Sequence, residues 1–311
     1  MEPFTDGLKL LIQPISRNRI PFENLIFKGH TYGSDVFEIK NGFQPLNIRY
    51  NEQKESLTVE GSIPFFCQGH NFGFSHEKLI QSFDLISETL CYDLFDAEVK
   101  SFEFGTVLQV ELCPDYILKN HLNLAGHNLQ PWTKENGSGE LSGIVFKSTV
   151  RTYKMYDGGY RVKQMKLPKS IKDQMQDYDP KAFYVKVEND VKKADRYLQI
   201  RNLSLRNYCT DEMQKRLKGD LIETYNYIQK KNTFMLPEGI TKPSVNQLLY
   251  LLLCEQNTNI RKEIESKMKA LNLDPVTRKN RQRKIREDLK KFGIVPDERI
   301  DLLHLICNGI N

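Results

Sequence analysis

The 311-residue sequence predicts an α+β protein: an antiparallel sheet with packed helices, followed by an all-helical C-terminal domain. Three observations lead there. Up to about residue 200 the apolar residues recur in short alternating runs, the repeat of strands with one buried face. After about residue 207 the period lengthens to that of a helix. The charge also changes sign along the chain. Residues 1–150 carry 12 Lys and Arg against 19 Asp and Glu, whereas residues 151–311 carry 33 against 21. A chain of this length suggests about two domains, and the change of period divides it into residues 1–206 and 207–311.

Each element follows from its own residues. Ser56-Leu57-Thr58-Val59-Glu60-Gly61 alternates and stops at a glycine, as a strand running into a turn does. Ser75 to Leu90 reads as a helix, with Leu79, Ile80, Phe83, Leu85 and Ile86 at helical spacing. Lys100 to Cys113, Val145 to Tyr156 and Ala182 to Glu188 return to the strand pattern, and His121 to Ser142, with Asn136-Gly137-Ser138-Gly139, is expected to be a loop. Thr210 suits a helix N-cap, with acids after it, and opens a helix toward Lys231. Further helices are expected from Ser244 through Leu253 and over Asn259 to Leu271. Asp274-Pro275, as cap and first-turn proline, starts another that ends before Gly293. No internal repeat is visible.

Composition removes several classes. With 39% apolar residues the chain is not disordered throughout. Its densest apolar run, Leu248 to Cys254, is too short to cross a bilayer, and its N-terminus does not read as a secretory signal. Cys67, Cys91, Cys113, Cys209, Cys254 and Cys307 are scattered, with none of the local pairing of a zinc site or a disulfide framework; buried free thiols in a reducing cytoplasm are expected.

Arg278, Lys279, Arg281, Arg283, Lys284, Arg286, Lys290 and Lys291 crowd one helix, and Ile285, Leu289 and Phe292 form a stripe that can dock it on its neighbour. Two helices around Asn272-Leu273-Asp274-Pro275 resemble a helix-turn-helix. Clustered cations of this kind release counterions from nucleic-acid phosphates; a solvated charged face is the alternative, and duplex DNA and RNA are both admissible partners.

In the first part, period two sets Glu103 on the face opposite Phe102 and Phe104. The same rule groups Tyr184, Lys186 and Glu188, and separately Thr152, Lys154 and Tyr156. If these strands are neighbours, one polar face gathers two carboxylates, lysines and a tyrosine. Carboxylates can hold Mg²⁺ or Mn²⁺, a lysine can offset charge on a phosphoryl oxygen, and a tyrosine can attack phosphorus. Gly69-His70-Asn71-Phe72-Gly73 is a turn, expected at a strand end, whose N–H groups can face an anion.

The stretch from Gly61-Ser62 to Gly69-His70-Asn71 resembles a block of the phage and plasmid rolling-circle replication initiators, a family that includes the filamentous-phage replication initiator endonuclease. Ala97-Glu98-Val99-Lys100-Ser101-Phe102-Glu103, Lys154-Met155-Tyr156-Asp157-Gly158 and Tyr184-Val185-Lys186-Val187-Glu188 are similar to the blocks that follow it, in the family's order, over roughly residues 55–205. Two positions depart. Gly158 stands where the family has a lysine, so that either Lys154 or Lys163 supplies that charge or activity is impaired, and Lys186 stands where it has an arginine. The chain also lacks the paired histidines of many DNA-nicking enzymes.

The resemblance implies an endonuclease that nicks and rejoins one strand of origin DNA in a bacterial cytoplasm, beside the host replication machinery. Tyr156 is the expected nucleophile, with Tyr160 and Tyr153 as rivals, and Lys154 and Lys163 assist it. Glu103, Glu188 and His70 are the expected ligands of Mg²⁺ or Mn²⁺. The alternative is an origin-binding or copy-control protein that does not cut.

Overall fold

The structure is a computed structural model and describes residues 3–41, 43–135, 137–165, 167–175, 177–235, 274–291, 293–296 and 300–308, with the backbone alone at 232–235, 278, 282, 285–286, 288–291 and 293–296. Two compact units result: residues 1–119, 123–228 and 303–311 in one, and residues 120–122 and 229–302 in the other.

The first unit is α+β. Its strands are β1 (Phe4–Ile12), β2 (Ile26–Thr31), β3 (Ser34–Ile39), β4 (Leu46–Asn51), β5 (Ser56–Ser62) and β6 (Glu98–Val110). After β7 (His121–Leu124) come β8 (Asn128–Thr133), β9 (Leu141–Lys147), β10 (Arg151–Asp157) and β11 (Phe183–Val191). All but β7 join one antiparallel sheet of ten strands among the described residues, in the order β2-β3-β4-β5-β1-β6-β11-β10-β9-β8. This order has a two-fold pattern that the residues do not reveal. In each half the first strand, β1 or β6, lies at the centre, and four later strands meander inward from an edge to pair with it.

The sheet core follows from the alternation. Leu57 and Val59 of β5, Phe102 and Phe104 of β6, and Val185 and Val187 of β11 are buried. α1 (Ile63–Gln68) and α2 (His76–Leu90) are capped by Ser62 and Ser75, whose hydroxyls accept the Phe65 and Lys78 N–H groups. Leu79, Phe83, Ile86 and Leu90 form the buried stripe of α2. α3 (Pro114–Lys119) and α4 (Gly158–Gln164) lie beside β9 and β11.

Four readings from the sequence change here. Residues 121–142 are not a loop: they hold β7, β8 and the start of β9. β8 is an edge strand exposed at every position and carries Pro131, so it has neither alternation nor a full ladder to advertise it. The 69–73 turn closes a helix rather than a strand. Gly69 takes a left-handed φ of 78°, and the Phe72 N–H is spent on His70 Nδ1 at 3.3 Å. The helix opened by Thr210 is Asp211–Asn226, shorter than expected, and groups with the sheet unit, where Arg151 of β10 donates to Thr224 at 2.7 Å. Cys91 and Cys113 are exposed rather than buried, and the five described cysteines are all free.

In the second unit, β12 (Asn232–Met235) pairs with β13 (Gly293–Pro296), and a helix spans Pro275–Lys291. Asp274 caps that helix by accepting the Val276 and Thr277 N–H groups, and the Thr277 hydroxyl together with these N–H groups holds its carboxyl below the usual range. Lys279, Arg281, Arg283 and Lys284 are exposed on it. The side chains of Arg278, Arg286, Lys290 and Lys291, and the helices expected at Ser244–Leu253 and Asn259–Leu271, lie outside the described residues. No helix among the described residues is long and apolar enough to cross a membrane.

Candidate active site

Four strands at the centre of the sheet build one polar patch. Register sets Lys154 opposite Glu188 and Tyr156 opposite Lys186 across β10 and β11, and Glu188 opposite Gly105 and Asp190 opposite Glu103 across β11 and β6. The sheet therefore brings together Glu103, Lys154, Tyr156, Lys186 and Glu188 on one face.

Asp6 completes the patch, and the sequence pattern does not point to it. Thr5 pairs with Phe104 and Leu8 with Phe102, so two residues of β1, Asp6 and Gly7, stand against the single Glu103. This β-bulge turns Asp6 to the polar face, out of step with the apolar positions around it. Gly7 beside it is closely packed, because a Cβ there would lie 2.9 Å from Glu103 Oε2 and make that side chain shift. Gly105 is tighter still: a Cβ there would meet Val187 O at 2.2 Å, so the β6–β11 pairing beneath Glu188 requires its absence.

Asp6, Glu103 and Glu188 each offer an oxygen, all within 4.8 Å of one another. Lys186, buried, forms ion pairs with Asp6 and with Glu188, the latter at 2.7 Å. Lys154 Nζ lies 2.7 Å from Glu103, 3.3 Å from Glu188 and 2.9 Å from Asp190. Burial opposes the charge of both lysines, but the surrounding carboxylates outweigh it and keep them protonated. Burial likewise opposes ionisation of Asp6, yet Lys186 and hydrogen bonds from Ser62 and Asn71 lower its carboxyl. Glu103 goes the other way, raised by burial and by the neighbouring charge of Glu188.

The Tyr156 hydroxyl donates to Glu188 Oε2 at 3.3 Å, and burial together with Glu188 pushes the phenol well above its ordinary range despite Lys186. Tyr156 is half-buried, on the wall of a cleft of about 480 Å³ that Asp6, Glu103, Lys154 and Glu188 also line. Trp132 and Tyr160 stand on the same cleft.

Three expected site residues fall elsewhere. His70 is outside the carboxylate group, and Asp6 takes the third position. The His70 ring is buried, its Nδ1 faces the Phe72 N–H and the Gln68 amide, and burial with the charge of Lys78 lowers it to about 4. Lys163 is exposed on α4 and does not line the cleft, whereas Arg161 of the same helix does. Tyr153 is fully buried on the opposite sheet face beside Phe146, which removes it as a nucleophile. Tyr160 accepts the Glu135 N–H at 3.2 Å and, like Tyr156, lines the cleft.

The donor set suits a hard divalent cation. Three carboxylate oxygens converge, there is no sulfur or imidazole in the group, and the Glu103 carboxyl, raised by burial and then by the charge of Glu188, is one whose ionised form a bound cation would favour. No protein-family model matches the chain, and no curated protein matches it.

Proposed function

We propose that the sheet unit is a DNA nicking and joining enzyme of the rolling-circle initiator type, with Tyr156 as its nucleophile. The observation that carries this reading is the convergence of one phenol with three carboxylates in an open cleft. Asp6, Glu103 and Glu188 would hold Mg²⁺ or Mn²⁺, which supplies Lewis acidity toward a phosphodiester oxygen.

The residues divide the remaining work. Glu188 orients the Tyr156 hydroxyl and takes its proton as the phenolic oxygen attacks phosphorus. The P–O3′ bond breaks, leaving a 5′-phosphotyrosyl link and a free 3′-OH after the leaving oxygen gains a proton. Attack by a 3′-OH reverses the sequence and rejoins the strand without ATP. Lys154 and Lys186, held protonated, offset charge that grows on the phosphoryl group. The exposed cations of Pro275–Lys291 bind the duplex through its phosphates. The cell compartment is then a bacterial cytoplasm with its replication machinery.

A second reading is favoured by a separate observation: two buried or half-buried ammonium groups already lie on the three carboxylates. A self-satisfied network of this kind suits an origin-binding or copy-control protein that does not cut. Incubation with Mn²⁺ and a supercoiled plasmid carrying the coding sequence and its flanks separates the two. Open circles support the first reading; specific binding without open circles supports the second.

A further inference from the structure

We infer that Trp132 is a stacking platform for one unpaired base of single-stranded DNA entering the cleft; the identity of the ligand rests on the nucleic-acid reading above. Trp132 is the chain's single tryptophan and is 43% exposed on the edge strand β8. An indole left partly in water forgoes part of its burial gain, which a planar partner stacked on it can recover. Its ring centre is 6.5 Å from that of Tyr156, at 45°, so a base resting on it lies next to the phenol.

The neighbouring residues keep that place open. Trp132 pairs in register with Gly143, where a Cβ would stand 2.8 Å from the indole and 2.9 Å from Tyr156 Cβ. Only glycine lets both rings lie over β9. Across the cleft α4 presents Arg161, a cation for a phosphate, and Gln164, an amide for a base edge; Gln44 stands exposed on the same cleft. A flat apolar surface, a guanidinium and amides within a cleft of about 480 Å³ match a nucleotide. Stacking on every base's π-face needs the base out of a duplex, so the ligand is a single strand.

Because Trp132 is the chain's one tryptophan, its emission reads the stacking directly. The full-length Tyr156→Phe protein, in Mg²⁺, is titrated with a mixed-sequence single strand of roughly 12 nucleotides, a length within known site sizes, and with the matching blunt duplex. Saturable quenching by the single strand, and little by the duplex, is expected. Anisotropy of the labelled strand should show Trp132→Ala weakening binding roughly 5- to 150-fold, with Trp132→Phe recovering most of it. The Phe variant and unchanged circular dichroism separate this effect from misfolding. The inference is overturned if the strand does not bind, if it binds without changing the emission, or if Trp132→Ala binds as tightly as its parent. Quenching without any nicking by the unaltered protein would end the nuclease reading and keep the platform. Nicking with an unaffected Trp132→Ala would do the reverse.

Discussion

Lys154 on β10 reaches past β11 to Glu103 on β6, with 2.7 Å between Nζ and Oε1. The ion pair joins residues 51 positions apart and marks the centre of a patch in which carboxylates outnumber the ammonium groups between them. That imbalance sets how the patch responds to mutation, to metal and to pH.

Lys186 holds the patch together. It is buried against Asp6 and Glu188, so Lys186→Met leaves two carboxylates short of their counter-charge. Breaking a buried pair by removing one partner costs about 3–5 kcal/mol. Urea unfolding should show a destabilisation of that size. A change below about 1 kcal/mol would mean that the pair is not buried in solution.

Mn²⁺ affinity should fall with pH from an unusually high starting point. Glu103 is raised above the ordinary carboxylate range by burial and Glu188, while Asp6 is lowered. As the pH drops through the Glu103 value, that group gains a proton and ceases to be a ligand, while Asp6 stays ionised. Affinity then falls by about tenfold per pH unit below that value, since ligand deprotonation and metal binding are linked. Calorimetric titrations at several pH values test this. The slope should appear above the normal glutamate value of about 4.3, and it should vanish in Glu103→Gln, which also binds Mn²⁺ more weakly.

Tyr153→Phe should leave stability within about 1 kcal/mol of the parent, or raise it, because the buried hydroxyl makes no hydrogen bond and its removal ends an uncompensated desolvation. Nicking should be retained. A destabilisation of more than about 2 kcal/mol would point to a partner for that hydroxyl.

Replacing exposed Lys279, Arg281, Arg283 and Lys284 with glutamine should weaken duplex binding at all sequences. The slope of log affinity against log salt should flatten by roughly 0.9 for each phosphate that no longer has a cation beside it. An unchanged slope would place the duplex on another surface.

Much of the sheet and part of the patch were legible in the sequence, for definite reasons. Alternation around Phe102 and Phe104, and in Tyr184-Val185-Lys186-Val187-Glu188, sets which side chains share a face, and register then makes neighbours of residues far apart in the chain. Asp6 was hidden because a bulge breaks the parity on which such reasoning depends. The one available signal was Asp6-Gly7, an acid and a glycine interrupting an apolar strand. β8 leaves no periodic trace in the sequence, because an exposed edge strand has no buried face to pattern it. His70 is a ligand type, but nothing in its local sequence discloses that its ring serves the turn that contains it. The two-fold order of the sheet is a property of strand sequence in space, which dissimilar side chains can build equally well.

The most direct test is the chemical fate of the Tyr156 hydroxyl. The protein is incubated with Mn²⁺ and the supercoiled plasmid, digested with nuclease and protease, and the peptides are weighed. A nucleotide mass on the peptide bearing Tyr156, absent along with the open circles in Tyr156→Phe, is the predicted result. Open circles undiminished in Tyr156→Phe, or the mass found on Tyr160 instead, would contradict it.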